Sequence, residues 1–293
     1  MILGGSGNTE NGRFEMKEEH KKLYSRDEVK LLGELDALFE EWRKTVGDKE
    51  DSWFIPDGFY PKYLVQKPKI LFMGRDAYDL FGEEDASGDA TYIEKFLPQY
   101  LTGRIGPNGK NINGVKFHKM LIQVAYGILH ECNWNQSAEA PGKPSVPYAF
   151  DICDGGRIFE QVSFAFMNLC KWSHDSWKES GPGTNAAWND IDSFVEKSTT
   201  GGRNFIMDEI AMLAPDIIIS MNFGLDRITN LSEGAAKLVD SSNPDCYVYQ
   251  LETQQGTTVL FDSWHFSGRK SEEFRIYNPL CEQIDAYWRK GGR

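Results

Sequence analysis

Long hydrophobic runs are missing from this chain of 293 residues. No window reaches the ~18 to 20 uninterrupted apolar residues that a membrane-spanning helix requires, and the opening stretch from Met1 to Lys22 carries no apolar segment of the signal-peptide kind. Positive charge is also in short supply: 32 Lys and Arg face 44 Asp and Glu, a formal charge of −12. That balance favours solubility and works against nonspecific attraction to a phosphate polyanion. Cysteine is sparse and odd in number. Cys132, Cys153, Cys170, Cys246 and Cys281 are scattered and never form a C-x-x-C pair, which argues against a disulfide framework and against a zinc or iron–sulfur centre. G-x-S-x-G, Walker A and G-x-G-x-x-G signatures are absent as well. A soluble cytoplasmic protein without metal or cofactor is the expectation, and self-association is left open.

What is present is a globular composition, with 40% apolar and 26% charged residues. Residues 1–22 are rich in Gly, Asn, Glu and Lys and are expected to form a disordered tail or loosely docked arm. Ser25 and Glu28 then form a capping-box pattern ahead of Val29, Leu31, Leu32, Leu35, Leu38 and Phe39, predicting a helix over 26–45. Buried strands are predicted for Ile70–Gly74, Val162–Leu169 and Ile217–Met221, and further strands at 247–251 and 257–261. Helices are expected over 115–130, 188–197, 203–213 and 271–289. Residues 82–113 read as loop, and 132–158 and 173–187 as insertions. Alternating helices and short apolar strands predict an α/β protein, a three-layer α/β/α sandwich with a mainly parallel central sheet, formed by one domain over 23–293.

In a parallel sheet, functional residues collect beyond the carboxyl ends of the strands. The segments there are polar: Gly74-Arg75-Asp76-Ala77-Tyr78-Asp79, Asn168-Leu169-Cys170-Lys171-Trp172, Ser220-Met221-Asn222-Phe223-Gly224 and Asp262-Ser263-Trp264-His265-Phe266-Ser267-Gly268-Arg269. Each residue also has an ordinary structural reading. Asp76 suits a turn or helix cap, Asn168 can satisfy strand-end backbone groups, His265 between Trp264 and Phe266 suits a packed histidine, and Tyr78 suits packing.

Taken in order, Gly-x-Asp-x-Tyr after a strand, Phe-x-Asn-Leu on a second, Pro-Asp-Ile-Ile-Ile on a third and a final His-x-Ser resemble the uracil-DNA glycosylase superfamily. The matching residues are Gly74, Asp76 and Tyr78, Asn168, Pro215 to Ile219, and His265 with Ser267. The best-known family writes the outer motifs Gly-Gln-Asp-Pro-Tyr-His and His-Pro-Ser-Pro-Leu. Here Arg75, Ala77, Asp79 and Phe266 depart from them, and Gly268-Arg269 replaces the apolar wedge.

The resemblance implies hydrolysis of the N-glycosidic bond of uracil or a damaged base in DNA. Asp76 and His265 would be catalytic, while Gly74, Tyr78, Asn168 and Ser267 would bind substrate. Arg75, Lys171 and Arg269 are read as candidate phosphate contacts on a local basic rim facing DNA, and Tyr92 or Phe96 as the aromatic that stacks on the base. The altered motifs and acidic charge support an alternative: a module of the same fold, binding a nucleotide, nucleic acid or protein without glycosylase activity. An unrelated hydrolase using Asp76 and His265 on a small substrate ranks behind both.

Overall fold

A computed structural model describes residues 16–47, 49, 53–76, 91–134, 142–173 and 185–290. Seven strands form one mixed sheet: β1 (Gly58–Phe59), β2 (Ile70–Asp76), β3 (Ala165–Cys170), β4 (Ile217–Met221), β5 (Ala236–Asp240), β6 (Cys246–Thr253) and β7 (Gly256–Ser263). Their spatial order is β1-β3-β2-β4-β7-β6-β5. The central four, β3, β2, β4 and β7, are mutually parallel, whereas β1, β6 and β5 join antiparallel. Isoleucine, leucine and phenylalanine fill β2, β3 and β4, and nearly every residue of these strands is buried, as strands covered on both faces require. The fold is therefore α/β with a parallel sheet centre. No helix of the described residues is long and apolar enough to cross a membrane.

Among the described residues, seven helices of seven residues or more accompany the sheet: α1 (Arg26–Val46), α2 (Tyr92–Thr102), α3 (Lys116–His130), α4 (Asn185–Ser198), α5 (Phe205–Leu213), α6 (Leu225–Leu231) and α7 (Asn278–Ile284). The expected capping box forms at α1. Glu28 N–H donates to Ser25 Oγ at 3.3 Å, and Ser25 N–H donates to Glu28 Oε2 at 2.8 Å. Leu35, Leu38, Phe39, Trp42 and Val46 face inward, and α1 packs on α4 and α5. The Trp42 indole N–H donates to Ser198 Oγ at 2.7 Å, while its ring stacks on Phe205. At the start of β2, Lys69 N–H donates to Asp216 Oδ2 at 2.7 Å, and Asp216 N–H donates to Lys69 O at 2.9 Å. This exchange sets the register of the two strands at the centre of the sheet.

Three expectations need correction. Residues 91–113 are not all loop, because α2 runs through Pro98. Thr91 caps it, Pro98 turns outward, and Tyr92, Phe96 and Tyr100 line its buried face. The 132–158 segment is more than a polar insertion: Trp134, Val146, Ile152 and Cys153 are buried, and Ala149–Cys153 is helical. Of the two forms expected for the N-terminal stretch, residues 17–22 take that of a docked arm. His20 Nδ1 lies 2.5 Å from Glu94 Oε2, and Lys17 N–H donates to Glu94 Oε1 at 3.0 Å. Lastly, β1 and β5 were missed. Two residues are too few to show a period, and β5 is an edge strand with little burial.

Near the C-terminus a helical stretch runs from Glu273 to Arg289, with wide turns on either side of α7. It crosses close to α3 at Gly127. A Cβ placed there would come within 1.8 Å of the Tyr277 hydroxyl, which donates to Cys132 O at 2.8 Å.

Candidate functional site

The chain traverses the parallel strands in the order second, first, third, fourth, so its direction across the sheet reverses beside β2. The carboxyl ends of β2 and β4 thus mark the topological switch point, the place where α/β sheets bind ligands. Gly74, Arg75 and Asp76 end one wall, and Asn222, Phe223 and Gly224 begin the other. Asp262, buried at the end of β7, ties the second wall down. Its Oδ1 accepts from Ser220 Oγ at 2.7 Å and Phe223 N–H at 3.0 Å, and its Oδ2 accepts from Gly224 N–H at 2.9 Å. Burial pushes its carboxyl pKa up, while these donors pull it back. The loop they hold includes Asn222 at φ +63°.

Side chains alternate along a strand, and parallel neighbours in register point the same way. Gly74 pairs with Asn168 and Asp76 with Cys170, so Gly74, Asp76, Phe166 and Asn168 share one face of the sheet. Asp76 is half-buried there. A Cβ on Gly74 would stand 2.7 Å from Asn168 Oδ1 and 2.9 Å from Phe166 Cζ. Glycine thus leaves the notch that the asparagine oxygen occupies.

His265 joins this face through rings. It stacks on Phe117 at 5.8 Å, and Phe117 meets Phe166 edge-on at 6.0 Å. Ser267 N–H donates to His265 Nδ1 at 3.3 Å, and Ser267 Oγ lies 2.8 Å from the same nitrogen. With Nδ1 accepting, the neutral ring carries its proton on Nε2. Burial, reinforced by the positive charge of Arg75, pushes the imidazole pKa down to about 4. The histidine is therefore a neutral N–H donor at ordinary pH.

Asn168 is held from behind by Asp57. Its backbone N–H donates to Asp57 Oδ2 at 2.6 Å, and its Nδ2 donates to Asp57 Oδ1 at 3.3 Å. Lys171 Nζ completes the cluster, 2.5 Å from Asp57 Oδ2 and 2.7 Å from Glu209 Oε2, all three side chains being fully buried. Burial alone would lower the Lys171 pKa, but the two carboxylates outweigh it and raise it. Burial raises both acids despite Lys171, Glu209 to about 7.

Lys171 was expected on a phosphate-binding rim. It lies instead inside the protein beside the Phe39 and Trp42 rings, because carboxylates from two distant segments draw it in. Arg75 is half-buried, with its guanidinium 4.5 Å from the Trp188 ring, and burial lowers its pKa. Ser267 and Arg269 are exposed. Tyr92 stacks on Phe166 at 4.2 Å and belongs to the aromatic wall, whereas Phe96 packs on His118. Tyr78 lies outside the described residues. Asp57 and Phe117 had not been singled out: Pro56-Asp57-Gly58 reads as an ordinary turn, and Phe117 as one apolar position of a helix.

Among the described residues no cluster of three or more His, Cys, Asp or Glu could hold a metal ion. The chain matches no family model, no curated protein and no solved structure.

Proposed function

We propose that the protein hydrolyses the N-glycosidic bond of uracil, or of a damaged base with a similar edge, in DNA. The observation that carries this reading is the placement of His265, whose Nδ1 accepts from Ser267 N–H and whose ring is joined through Phe117 and Phe166 to the sheet face that bears Asp76 and Asn168. In such a reaction the C1′–N bond breaks with its electron pair leaving on the base, a water oxygen bonds to C1′, and the proton the water releases passes through solvent to the base anion, giving free base and an abasic sugar. Positive charge develops on the sugar and negative charge on the base, so the site must answer both. Asp76 stabilises the sugar cation and orients the water. His265 donates from Nε2 to the base oxygen that becomes anionic, without having to give up a full proton. Asn168 meets the base edge with one acceptor and one donor. Tyr78 crowds C5 and excludes a thymine methyl. The target base must leave the stack to reach these groups. The same reading makes the chain a three-layer α/β/α domain with Arg75 and Arg269 beside the DNA backbone.

A second reading has support from the burial of Lys171, which removes one cation from the proposed rim of a chain already carrying −12. In it the fold serves as a module that binds a nucleotide, nucleic acid or protein without cleavage. A strand-cleavage assay separates the two. Single- and double-stranded oligonucleotides with one uracil are incubated with the protein and treated with alkali to break abasic sites. Cleavage that is lost in both Asp76→Asn and His265→Ala is the expected result. Its absence from folded protein in excess over substrate rules out uracil excision and leaves the binding module.

A further inference from the structure

The amide of an asparagine can face a ligand in either of two ways. One presents its oxygen and the other its NH2 group, and a base-reading site works only if one orientation is enforced. Around Asn168 the enforcing group is identifiable. Asp57 Oδ2 accepts from both Asn168 N–H and Lys171 Nζ, leaving Oδ1 as an acceptor toward the side-chain amide at 3.3 Å. Turning the amide over would set its oxygen against a carboxylate oxygen inside the protein, where unpaired acceptors are costly. On the other side, the space above Gly74 receives Asn168 Oδ1. That oxygen accepts no hydrogen bond among the described residues.

We infer that Asp57 is a specificity-positioning residue: it locks the Asn168 amide so that Oδ1 and one remaining N–H face the ligand, selecting bases with an imide edge. This rests on the base-excision reading above. An imide edge, as in uracil, sets an N–H donor beside a carbonyl acceptor and complements the locked amide at both positions. The corresponding edge of cytosine sets a ring-nitrogen acceptor beside an amino donor, so it meets acceptor with acceptor and donor with donor. Lys171 has a supporting part: its ammonium, 2.5 Å from Asp57 Oδ2 and held by Glu209, opposes the burial that raises the Asp57 pKa and so favours the acceptor-only form. Sites that hydrogen-bond a substrate group reject a mismatched analogue by roughly four orders of magnitude, so the lock can account for base choice without steric exclusion.

The test compares wild type with Asp57→Asn, whose amide can donate to or accept from Asn168 and so allows both orientations. Excision rates are measured for uracil and for cytosine at one position of the same oligonucleotide. The lock predicts a uracil-to-cytosine ratio that falls by about 100-fold, through slower uracil and newly detectable cytosine excision. An unchanged ratio in a folded variant overturns it, since a purely structural role slows both bases alike. Should Asp57→Asn fail to fold, the triple variant Asp57→Asn, Lys171→Met, Glu209→Gln removes all three buried ionisable groups together, and the same ratio decides. If wild type excises neither base, the glycosylase reading falls. The lock is then decided by the Asn168 side-chain amide signals in the 15N spectrum of the full chain: displacement in Asp57→Asn supports it, and an unmoved pair of signals overturns it.

Discussion

At the scale of single residues, the proposed chemistry depends on His265 being neutral with its proton on Nε2. The imidazole pKa lies near 4, well below its ordinary 6.5, so the neutral form prevails across the usual pH range. Excision measured as kcat/KM should show no acid limb from His265 until pH approaches about 4; a limb near 6.5 that disappears in His265→Gln would contradict this assignment. Ser267→Ala removes the hydroxyl 2.8 Å from Nδ1 and leaves only the 3.3 Å donation from the backbone N–H to hold Nδ1 as an acceptor, so the tautomer is held less firmly and the excision rate should drop about 10-fold with little change in stability. The placement of Gly74, Asp76, Asn168 and His265 at or just beyond the carboxyl ends of strands was legible, because motif order marks strand ends and such ends collect polar groups. Asp57 was not, since its importance comes from Asn168 and Lys171, both more than a hundred positions away. Lys171 was misread for the same reason. A lysine after a strand looks solvent-facing until the acids converging on it are known.

At the scale of elements, strands with continuous apolar sequence were readable and edge elements were not. Ile217–Met221 was predicted to the residue because burial on both faces demands a run of large apolar side chains. The edge strand Ala236–Asp240 and the Pro-bearing helix Tyr92–Thr102 escaped, the first for want of burial and the second because proline suggests a break. Two close approaches give tests at this scale. Gly127→Ala sets a methyl against the Tyr277 hydroxyl and should push α3 from the C-terminal helical stretch, costing on the order of 3 kcal/mol in urea unfolding. Asp262→Ala removes the carboxylate that three donors share and leaves the Phe223 and Gly224 N–H groups without it. It should cost about 3 kcal/mol and raise hydrogen exchange across residues 222–224.

At the scale of the whole molecule, two buried groups give stability an opposed dependence on pH. Glu209 has a folded pKa raised to about 7, so its contribution is complete below its ordinary 4.5 and is lost as pH rises through about 7. His265, lowered to about 4, contributes above 6.5 and is lost as pH falls through about 4. Glu209→Gln removes only the first. Relative to that variant, wild type should lose on the order of 2 kcal/mol between about pH 5 and pH 7.5 in urea unfolding; parallel curves would contradict a proton held on Glu209. The sequence disclosed the α/β class and the parallel sheet centre, because both follow from hydrophobic pattern, but the chain's −12 charge could not reveal how its few cations are spent. Release of free base is the most direct test of the account. Oligonucleotides carrying uracil, cytosine or thymine at one position are incubated with excess protein, and the products are read by mass spectrometry. The account predicts free uracil in amounts equal to the abasic sites formed, with neither cytosine nor thymine released. Intact oligonucleotides in all three cases, from protein shown to be folded, would contradict it.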